Sequence, residues 1–263
     1  MEQSKIIKAA SILYNSRIKC ERIDNLPKNL RPKNKFQAYL IQESLVKKYL
    51  KNKNSLIGYK IGCTNKEAQK QINVSEPFYG YIFSNYFSKS NISLNSKKFI
   101  NPYIEPEFSF KIIKELDYKK APFNIKEIYK SIGSVMPSIE IVDSRFNKWT
   151  NTGINNLIAD NGVHSFWLYG DEIKNINKFN FNNHHVELLI NNKLVKKGNS
   201  KNVLGNPIKS LKWLVNNLAK KRKSIKKNMY VSTGTCTPAI LLKKNTLINA
   251  NFGELGIIEF KYN

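Results

Sequence analysis

The N-terminal part of the chain carries apolar side chains at helical spacing. In residues 2–19 and again in residues 34–50, an apolar position recurs every three or four residues. Asn34 stands at the start of the second run, where its side chain can cap a helix. We therefore predict two amphipathic helices that form an N-terminal helical lobe, residues 1–55, with a scaffolding role.

From residue 56 onward, short apolar runs alternate with glycine, proline and asparagine, a pattern typical of β-strands. These runs predict strands at residues 56–61, 78–83, 104–113, 138–142, 163–168, 185–190, 229–232 and 257–260. Helical patterns interrupt them at residues 124–133, 154–159 and 207–220. So many short strands predict an α+β fold, with a mixed β-roll or sandwich core in a second domain, residues 56–263, to which the acids discussed below would give the catalytic role.

Three glutamates fall inside these apolar, strand-like runs. Because side chains alternate along a strand, Glu105 and Glu107 share one face while Phe108 and Phe110 point to the other. Glu140 is flanked by residues that point the opposite way, so it can converge on the same pocket. Adjacent carboxylates need a proton, a basic partner or a hard divalent cation between them. The residues alone leave these three alternatives open.

The chain is strongly basic, with 44 lysines and arginines against 19 acids and a formal net charge of +25. This charge raises the alternative of a nucleic-acid-binding protein. However, the lysines are spread over nearly every segment, and no groove-reading or stacking signature accompanies them. We therefore expect a solvated basic surface that attracts small anions, and no nucleic-acid partner.

The spacing of the cysteines and histidines indicates neither a zinc site nor a catalytic histidine. No CxxC motif and no Cys/His pair at zinc-site spacing occurs in the sequence. His164, His184 and His185 have no spaced acid or nucleophile, which argues against a catalytic histidine. The lack of an apolar signal core and of any run of about 18 apolar residues predicts a cytoplasmic protein with no membrane partner.

Three further segments carry polar groups that allow either a structural or a chemical role. Lys60 lies in a short strand bounded by glycines, and is either an exposed strand-end lysine or a proton-transfer group beside a metal. Asp160 and Asn161 close a predicted helix just before a glycine, as in an ordinary C-cap. Thr233 and Thr235 belong to a hydroxyl-rich turn whose backbone N–H groups can hold an anion.

The order of these segments resembles the hydratase branch of the fumarylacetoacetate hydrolase superfamily. This branch comprises the 2-keto-4-pentenoate (2-hydroxypenta-2,4-dienoate) hydratases and their relatives, the 4-oxalocrotonate decarboxylases. The matching stretches are FQAYLIQ (36–42), GYKIGCT (58–64), PFYG (77–80), IEPE (104–107), PSIEIVDSR (137–145), IADN (158–161), LGNP (204–207) and TGT (233–235). The resemblance runs from about residue 34 to the end of the chain.

The resemblance implies a β-roll of the fumarylacetoacetate hydrolase type and a homo-oligomer. It also implies an Mg²⁺ or Mn²⁺ ion on three carboxylates, chelated by a small-molecule 2-oxo or 2-enol acid, with Lys60 as a proton shuttle. The implied metal ligands are Glu105, Glu107 and Glu140. Asp160 is a further implied catalytic residue, and the implied substrate contacts are Ile61, Tyr79, Asn161, Thr233 and Thr235.

Two segments depart from the family pattern. Phe78 stands where many of these hydratases carry an acid, so a proton-transfer group is missing there, and Glu76 or Tyr79 would have to substitute for it. After Asn161 the family often has a small or hydroxyl residue, in the segment where this chain has a glycine, a valine and His164.

We therefore predict a metal-dependent lyase, a hydratase that adds water to a short 2-hydroxy-2,4-dienoate or 2-oxo-4-enoate to give a 4-hydroxy-2-oxo acid. A decarboxylase or a C–C hydrolase of a related 2-oxo acid is the alternative among enzymes, since decarboxylation needs the same metal but no water-activating base. A basic nucleic-acid-binding protein and a catalytically idle metal-binding relative are the rival predictions.

Overall fold

The two N-terminal helices lie where the apolar spacing predicts them. A computed structural model describes residues 1–263, apart from the side chain of Gln71. Helix α1 spans Gln3–Lys19 and α2 spans Lys35–Lys51, and the two pack against each other. The Asn34 side chain accepts a hydrogen bond from Gln37 N at 3.0 Å and so caps α2. Their buried faces belong to the same hydrophobic core as the strands, so a domain boundary after residue 55 remains a prediction.

The predicted strands are confirmed, and the structure adds several that the apolar pattern missed. The helices after α2 are α3 (Lys66–Gln71), α4 (Ile125–Ser131), α5 (Ile154–Ala159) and α6 (Pro207–Ala219). The strands are β1 (Leu56–Gly62), β2 (Phe78–Phe83), β3 (Phe87–Lys89), β4 (Ile92–Leu94), β5 (Tyr103–Ile112), β6 (Ile132–Val142), β7 (His164–Tyr169), β8 (His185–Ile190), β9 (Lys193–Asn199), β10 (Tyr230–Thr235), β11 (Ile240–Leu241), β12 (Thr246–Asn251) and β13 (Ile257–Tyr262). Within the described residues, no helix has both the length and the apolar character needed to cross a membrane.

A mixed sheet carries the strands that hold the acids. Its strand order is β2-β1-β10-β5-β6-β7-β3, and β11 also pairs with β5. Strand β5 lies between β10 and β6 and runs antiparallel to both, whereas β1 and β10 are parallel. A second sheet has the order β4-β13-β12-β8-β9. These curled sheets with helices packed around them confirm the predicted α+β fold.

The core side of β5 is apolar, as the alternation of its side chains predicts. The ring of Phe108 meets the edges of Phe252 and Phe181, with ring centroids 5.3 and 6.4 Å apart. Phe110 packs against Phe181 as well, with centroids 5.6 Å apart. This aromatic packing fixes the orientation of β5, so its glutamates must emerge on the opposite face.

Candidate metal centre and its cavity

Three carboxylates meet at the centre of the mixed sheet. Glu105 and Glu140 are direct partners in the antiparallel register of β5 and β6, and Glu107 follows two residues along the same face of β5. Each of the three offers a carboxylate oxygen, and these oxygens all lie within 4.8 Å of one another. Glu107 and Glu140 are 0% exposed, and Glu105 is half-buried. Sequence alternation predicted this convergence, and the strand register produces it.

Glu140 is held from both sides by nitrogen donors. Lys60 Nζ lies 2.9 Å from one of its carboxylate oxygens, and His164 Nδ1 lies 2.9 Å from the other. Burial opposes the carboxylate charge, but Lys60 and His164 outweigh it and lower the pKa of Glu140. These two contacts favour the ionised form of Glu140.

Glu107 has one satisfied oxygen and one free one. Its Oε2 accepts hydrogen bonds from Ser232 Oγ at 2.6 Å and from Gly234 N at 2.9 Å. Its Oε1 is buried and has no hydrogen-bond partner among the described residues. Burial, together with the neighbouring carboxylates of Glu140 and Glu105, raises the pKa of Glu107 well above its usual range. A buried acceptor without a donor costs free energy, and a bound cation would remove that cost at Glu107 Oε1.

The donor set fits a hard divalent ion. Burial raises the pKa of Glu105 to about 7; Lys60 lowers it, and the nearby Glu140 carboxylate adds a smaller upward shift. Carboxylate oxygens are the ligands that Mg²⁺, Mn²⁺ and Ca²⁺ prefer, and a dication between them would remove the repulsion that raises these pKa values. The free Oε1 of Glu107 is an available ligand atom.

A buried hydroxyl network lies behind Glu107. Ser232 Oγ receives hydrogen bonds from Trp167 Nε1 at 3.2 Å and from Ser109 Oγ at 3.0 Å. Ser138 Oγ contacts Ser109 Oγ at 2.6 Å and donates to the Glu107 carbonyl at 3.0 Å. The network directs the Ser232 proton toward Glu107, and so fixes the carboxylate with its free oxygen facing away from Ser232.

A Ser232→Ala variant is expected to weaken divalent-metal binding about ten- to hundredfold, because partners of this kind orient metal ligands. The measurement is a calorimetric Mg²⁺ titration of folded protein. Ser134→Ala is the matched control, since Ser134 donates instead to Glu172 at 2.9 Å, outside the cluster. Equal affinities in the two variants would contradict an orienting role for Ser232.

Lys60 is enclosed, so the interpretation as an exposed strand-end lysine is wrong. Lys60 is 1% exposed, and its Nζ also donates a hydrogen bond to the Gly162 carbonyl at 3.1 Å. Gly80 and Gly162 leave room for its stem, because a Cβ on Gly80 would lie 3.1 Å from Lys60 Cδ and 2.4 Å from the Asn161 carbonyl oxygen. Burial alone would lower the pKa of Lys60, but the carboxylates, Glu140 first, raise it above its ordinary value.

His164 is the site residue that the sequence reasoning missed. No acid lies at a suitable spacing from His164 along the chain, yet Glu140 reaches it from the neighbouring antiparallel strand. Burial is the main cause that lowers the pKa of His164, although Glu140 acts in the other direction. The pairing of β6 with β7 was the signal needed, and it cannot be read from spacing within one strand.

A cavity of about 280 Å³ opens onto the cluster. Of the predicted site residues, Lys60, Glu105 and Thr235 line it. A wider surface basin of about 770 Å³ shares lining residues with the cavity, including Asn65 and Glu67, and carries several lysines. One small molecule in the cavity would thus lie beside both Glu105 of the acid cluster and the predicted proton-transfer lysine.

The structure does not bring Glu76 or Asp160 to this cavity. Glu76 is exposed on the surface and pairs with Lys35, which fits its place in the turn before β2. Asp160 is fully buried at the end of α5, where Arg145 Nε donates to its carboxylate at 2.6 Å. Neither carboxylate faces the space that a substrate could occupy, so the structure corrects both expectations.

Four of the five predicted substrate contacts also point elsewhere. The Asn161 side chain bonds the backbone N–H and carbonyl of Tyr81 at 2.8 and 2.9 Å, and Thr233 Oγ1 donates to the Phe108 carbonyl at 2.7 Å. Ile61 is buried in the hydrophobic core, and the Tyr79 ring stacks on Tyr39 with centroids 4.6 Å apart. In a regular strand Thr233 and Thr235 would share a face, but the register of β10 shifts between Ser232 and Thr235, where Gly234 has a φ of 105°, and only Thr235 lines the cavity.

The chain is similar over its whole length to a curated decarboxylase. It is 23% identical to the 4-oxalocrotonate decarboxylase of Pseudomonas putida over 263 residues, which cover 100% of this chain and 98% of that relative. It is 24% identical over 219 residues to 2-keto-4-pentenoate hydratase 1 of Dechloromonas aromatica, covering 83% of this chain and 82% of that protein. No protein-family model matches the chain.

Solved structures share the fold. The 4-oxalocrotonate decarboxylase from Pseudomonas putida G7, complexed with magnesium and adipate, aligns with a TM-score of 0.94 and 22% identity over 100% of this chain and 99% of that one. The fumarylpyruvate hydrolase from Pseudomonas aeruginosa, in complex with Mn²⁺ and pyruvate, aligns with a TM-score of 0.62 and 9% identity over 78% of this chain and 88% of that one.

The fold is therefore of the fumarylacetoacetate hydrolase type. More closely, the chain is a homologue of the 2-keto-4-pentenoate hydratases and the 4-oxalocrotonate decarboxylases, which confirms the branch that its motifs indicated.

Proposed function

We propose that this protein is a metal-dependent lyase that adds water to a short 2-hydroxy-2,4-dienoate or 2-oxo-4-enoate and forms a 4-hydroxy-2-oxo acid. One observation carries the proposal: three converging carboxylates, one with a free buried oxygen, lie beside an enclosed lysine at a small cavity. The similarity to 2-keto-4-pentenoate hydratases supports the same reaction class.

Glu105, Glu107 and Glu140 would hold the divalent ion, Mg²⁺ or Mn²⁺, and the remaining coordination positions would take the substrate. Structural neighbours crystallised with magnesium, calcium or manganese support a divalent metal here. When bound, such an ion acts as a Lewis acid on the 2-oxygen of a 2-oxo acid.

The protein side chains supply the remaining chemistry. Lys60 Nζ, as an ammonium paired with Glu140, is placed to give a proton to the substrate chain and to take one back during the dienol-to-ketone change. Its positive charge and the basic surface both favour an anionic substrate. Phe78, Val163 and Leu157 give the cavity apolar walls against which the carbon chain of a substrate can pack.

Decarboxylation of a related 2-oxo acid is the second candidate. The observation that favours it is Phe78, which lines the cavity where the hydratase pattern has an acid. Apart from Lys60 and the cluster member Glu105, the titratable side chains lining the cavity are Cys63, Tyr103 and Glu67, and Glu67 is exposed and lies at the shared rim. A loss of carbon dioxide needs no base to activate water, so it would proceed without the missing acid.

A product assay separates these two functions. The purified protein is incubated with Mg²⁺ or Mn²⁺ and with a panel of 2-hydroxydienoic and unsaturated 2-oxo acids. We expect a 4-hydroxy-2-oxo acid to form without release of carbon dioxide. Carbon dioxide release would favour the decarboxylase, and no turnover of any compound would refute the enzymatic proposal.

A Glu107→Gln variant is expected to bind Mg²⁺ at least about tenfold more weakly than the wild type, because one charged ligand is lost. Calorimetric titration measures this directly, without any need for substrate. Glu172→Gln is the control, since Glu172 pairs with Lys111 at 2.8 Å away from the cavity. Unchanged affinity in Glu107→Gln would place the metal elsewhere and would leave the basic surface as the main functional feature.

A further inference from the structure

We propose that the cavity selects 2-oxo acids whose far end is apolar and uncharged, with a carbon tail longer than that of a five-carbon dienoate, and that it discriminates against dicarboxylates. The proposal rests on the proposed function, because it assumes that the 2-oxo acid head binds at the acid cluster. It adds a specificity that the cluster itself does not determine.

The walls of the cavity beyond the acid cluster are apolar. Five of the lining residues belong to one buried hydrophobic cluster, namely Ile72, Phe78, Val142, Leu157 and Val163. Half-buried aromatic side chains complete this wall, since the rings of Tyr103 and Trp149 meet edge to face with centroids 5.9 Å apart. Such a surface gains free energy by covering alkyl or aryl groups.

Phe78 shapes the wall next to the catalytic lysine. Its ring lies against Gly62 and Gly162, where an added Cβ would come within 2.6 and 3.0 Å of ring carbons. Lys60 Nζ lies 5.6 Å from the centroid of the same ring. The ring therefore closes off the side of the lysine and presents an apolar face to whatever extends from the acid cluster.

A second carboxylate would find no free cation inside the cavity. Among its described lining residues the charged side chains are Lys60, Glu67 and Glu105. Lys60 is already paired with Glu140 at 2.9 Å, and the other two are acids. A desolvated carboxylate without a partner is strongly disfavoured, and neighbouring acids add repulsion.

The lysines nearby belong to the outer basin. Lys66, Lys196, Lys197 and Lys201 line that basin, and none of them lines the cavity. All four are exposed, so water and salt screen their charges. They would raise the local concentration of any anion, but they do not distinguish the end of a short chain from its head.

Binding of two unreactive analogues of equal length tests the proposal. 2-Oxohexanoate and 2-oxohexanedioate share the same head and differ only in the terminal methyl or carboxylate. With saturating Mg²⁺, calorimetry is expected to give at least about tenfold tighter binding of 2-oxohexanoate. Extending the monoacid by one CH₂ should tighten binding by up to about fourfold, as expected for a buried methylene.

The outcomes separate this inference from the proposed function. If both analogues bind only with metal and with equal affinity, or if the dicarboxylate binds more tightly, the selectivity is refuted and the site assignment stands. If Mg²⁺ binds but neither analogue does, the proposed function itself fails. Tight binding of both analogues without metal would also contradict the site.

Trp149→Arg provides a second, independent test, with Trp149→Phe as the matched control. Trp149 is half-buried in a short 3-10 turn (Trp149–Asn151), so the change places a cation on the cavity wall without opening the deep core. Arginine is expected to shift the affinity ratio toward 2-oxohexanedioate, whereas phenylalanine should keep the preference for the monoacid. Mg²⁺ binding by each variant shows that it is still folded. An unchanged ratio of affinities for the two analogues in Trp149→Arg would count against the proposal.

Discussion

A Lys60→Met variant is expected to lose about 10²- to 10⁴-fold in kcat and to keep its affinity for the divalent ion. Methionine preserves the length and the apolar stem of the buried side chain, but it can neither carry a proton nor pair with Glu140. Removal of a cation that lies 2.9 Å from Glu140 also frees that carboxylate for the metal. Metal affinity should therefore stay equal or increase, which distinguishes loss of chemistry from loss of the site.

The matched control for this variant is Lys111→Met. Lys111 lies on β5 of the same sheet and pairs with Glu172 at 2.8 Å, but it does not line the cavity. Its removal should leave kcat within a few-fold of the wild type. A Lys60→Met protein that binds Mg²⁺ and retains its turnover would show that another group moves the proton.

The acid cluster was predictable because one regularity, the alternation of side chains along a strand, governs most of it. The period of two along a strand places Glu105 and Glu107 together, and it equally places Phe108 in the core. Glu140 joins them only through the pairing register of β5 and β6, in which Glu105 lies opposite a residue about 35 positions later. The apolar pattern suggests both strands but does not define their register. The fold class was predictable for the same reason, since alternating runs mark most strands.

The sequence failed where tertiary partners decide the role of a residue. His164 gains its partner from an adjacent strand, and Asp160 is taken out of the site by Arg145, fifteen residues earlier. Strand β9 escaped prediction because five consecutive positions are exposed and lysine-rich, so no alternation marks it. In each case the missing information is a contact between elements, not a propensity within one.

An Asp160→Asn variant tests whether the buried acid has the catalytic role that the family resemblance implied. The Asp160 carboxylate does not line the cavity, and it accepts a hydrogen bond from Arg145. The variant should therefore be less stable, while kcat of the folded protein should stay within a few-fold of the wild type. Thermal unfolding and turnover are measured on the same sample. A large fall in kcat at unchanged stability would restore Asp160 to the catalytic residues.

An Arg145→Met variant is expected to lose about 3–5 kcal/mol of folding stability at neutral pH, because it leaves a buried carboxylate without its partner. Arg145 and Asp160 are both almost fully buried, and the guanidinium also donates to the Asp143 and Asp160 carbonyls at 2.7 and 2.8 Å. Denaturant unfolding measures the loss. Lys226→Met, which removes an exposed pair with Glu115, should change stability little.

The loss of folding stability in Arg145→Met should depend on pH in a defined direction. Burial already raises the pKa of Asp160 from 3.8 to about 6 while Arg145 lowers it, so removal of Arg145 must raise the folded-state value further. A folded pKa above the unfolded one means that the folded state binds the proton more tightly, so stability falls as pH rises through that interval. The destabilisation of Arg145→Met should therefore be smaller near pH 5 than near pH 8, and Arg145→Met/Asp160→Asn should recover part of it. A pH-independent loss with no recovery in the double variant would mean that packing, and not the unpaired charge, makes Arg145 necessary.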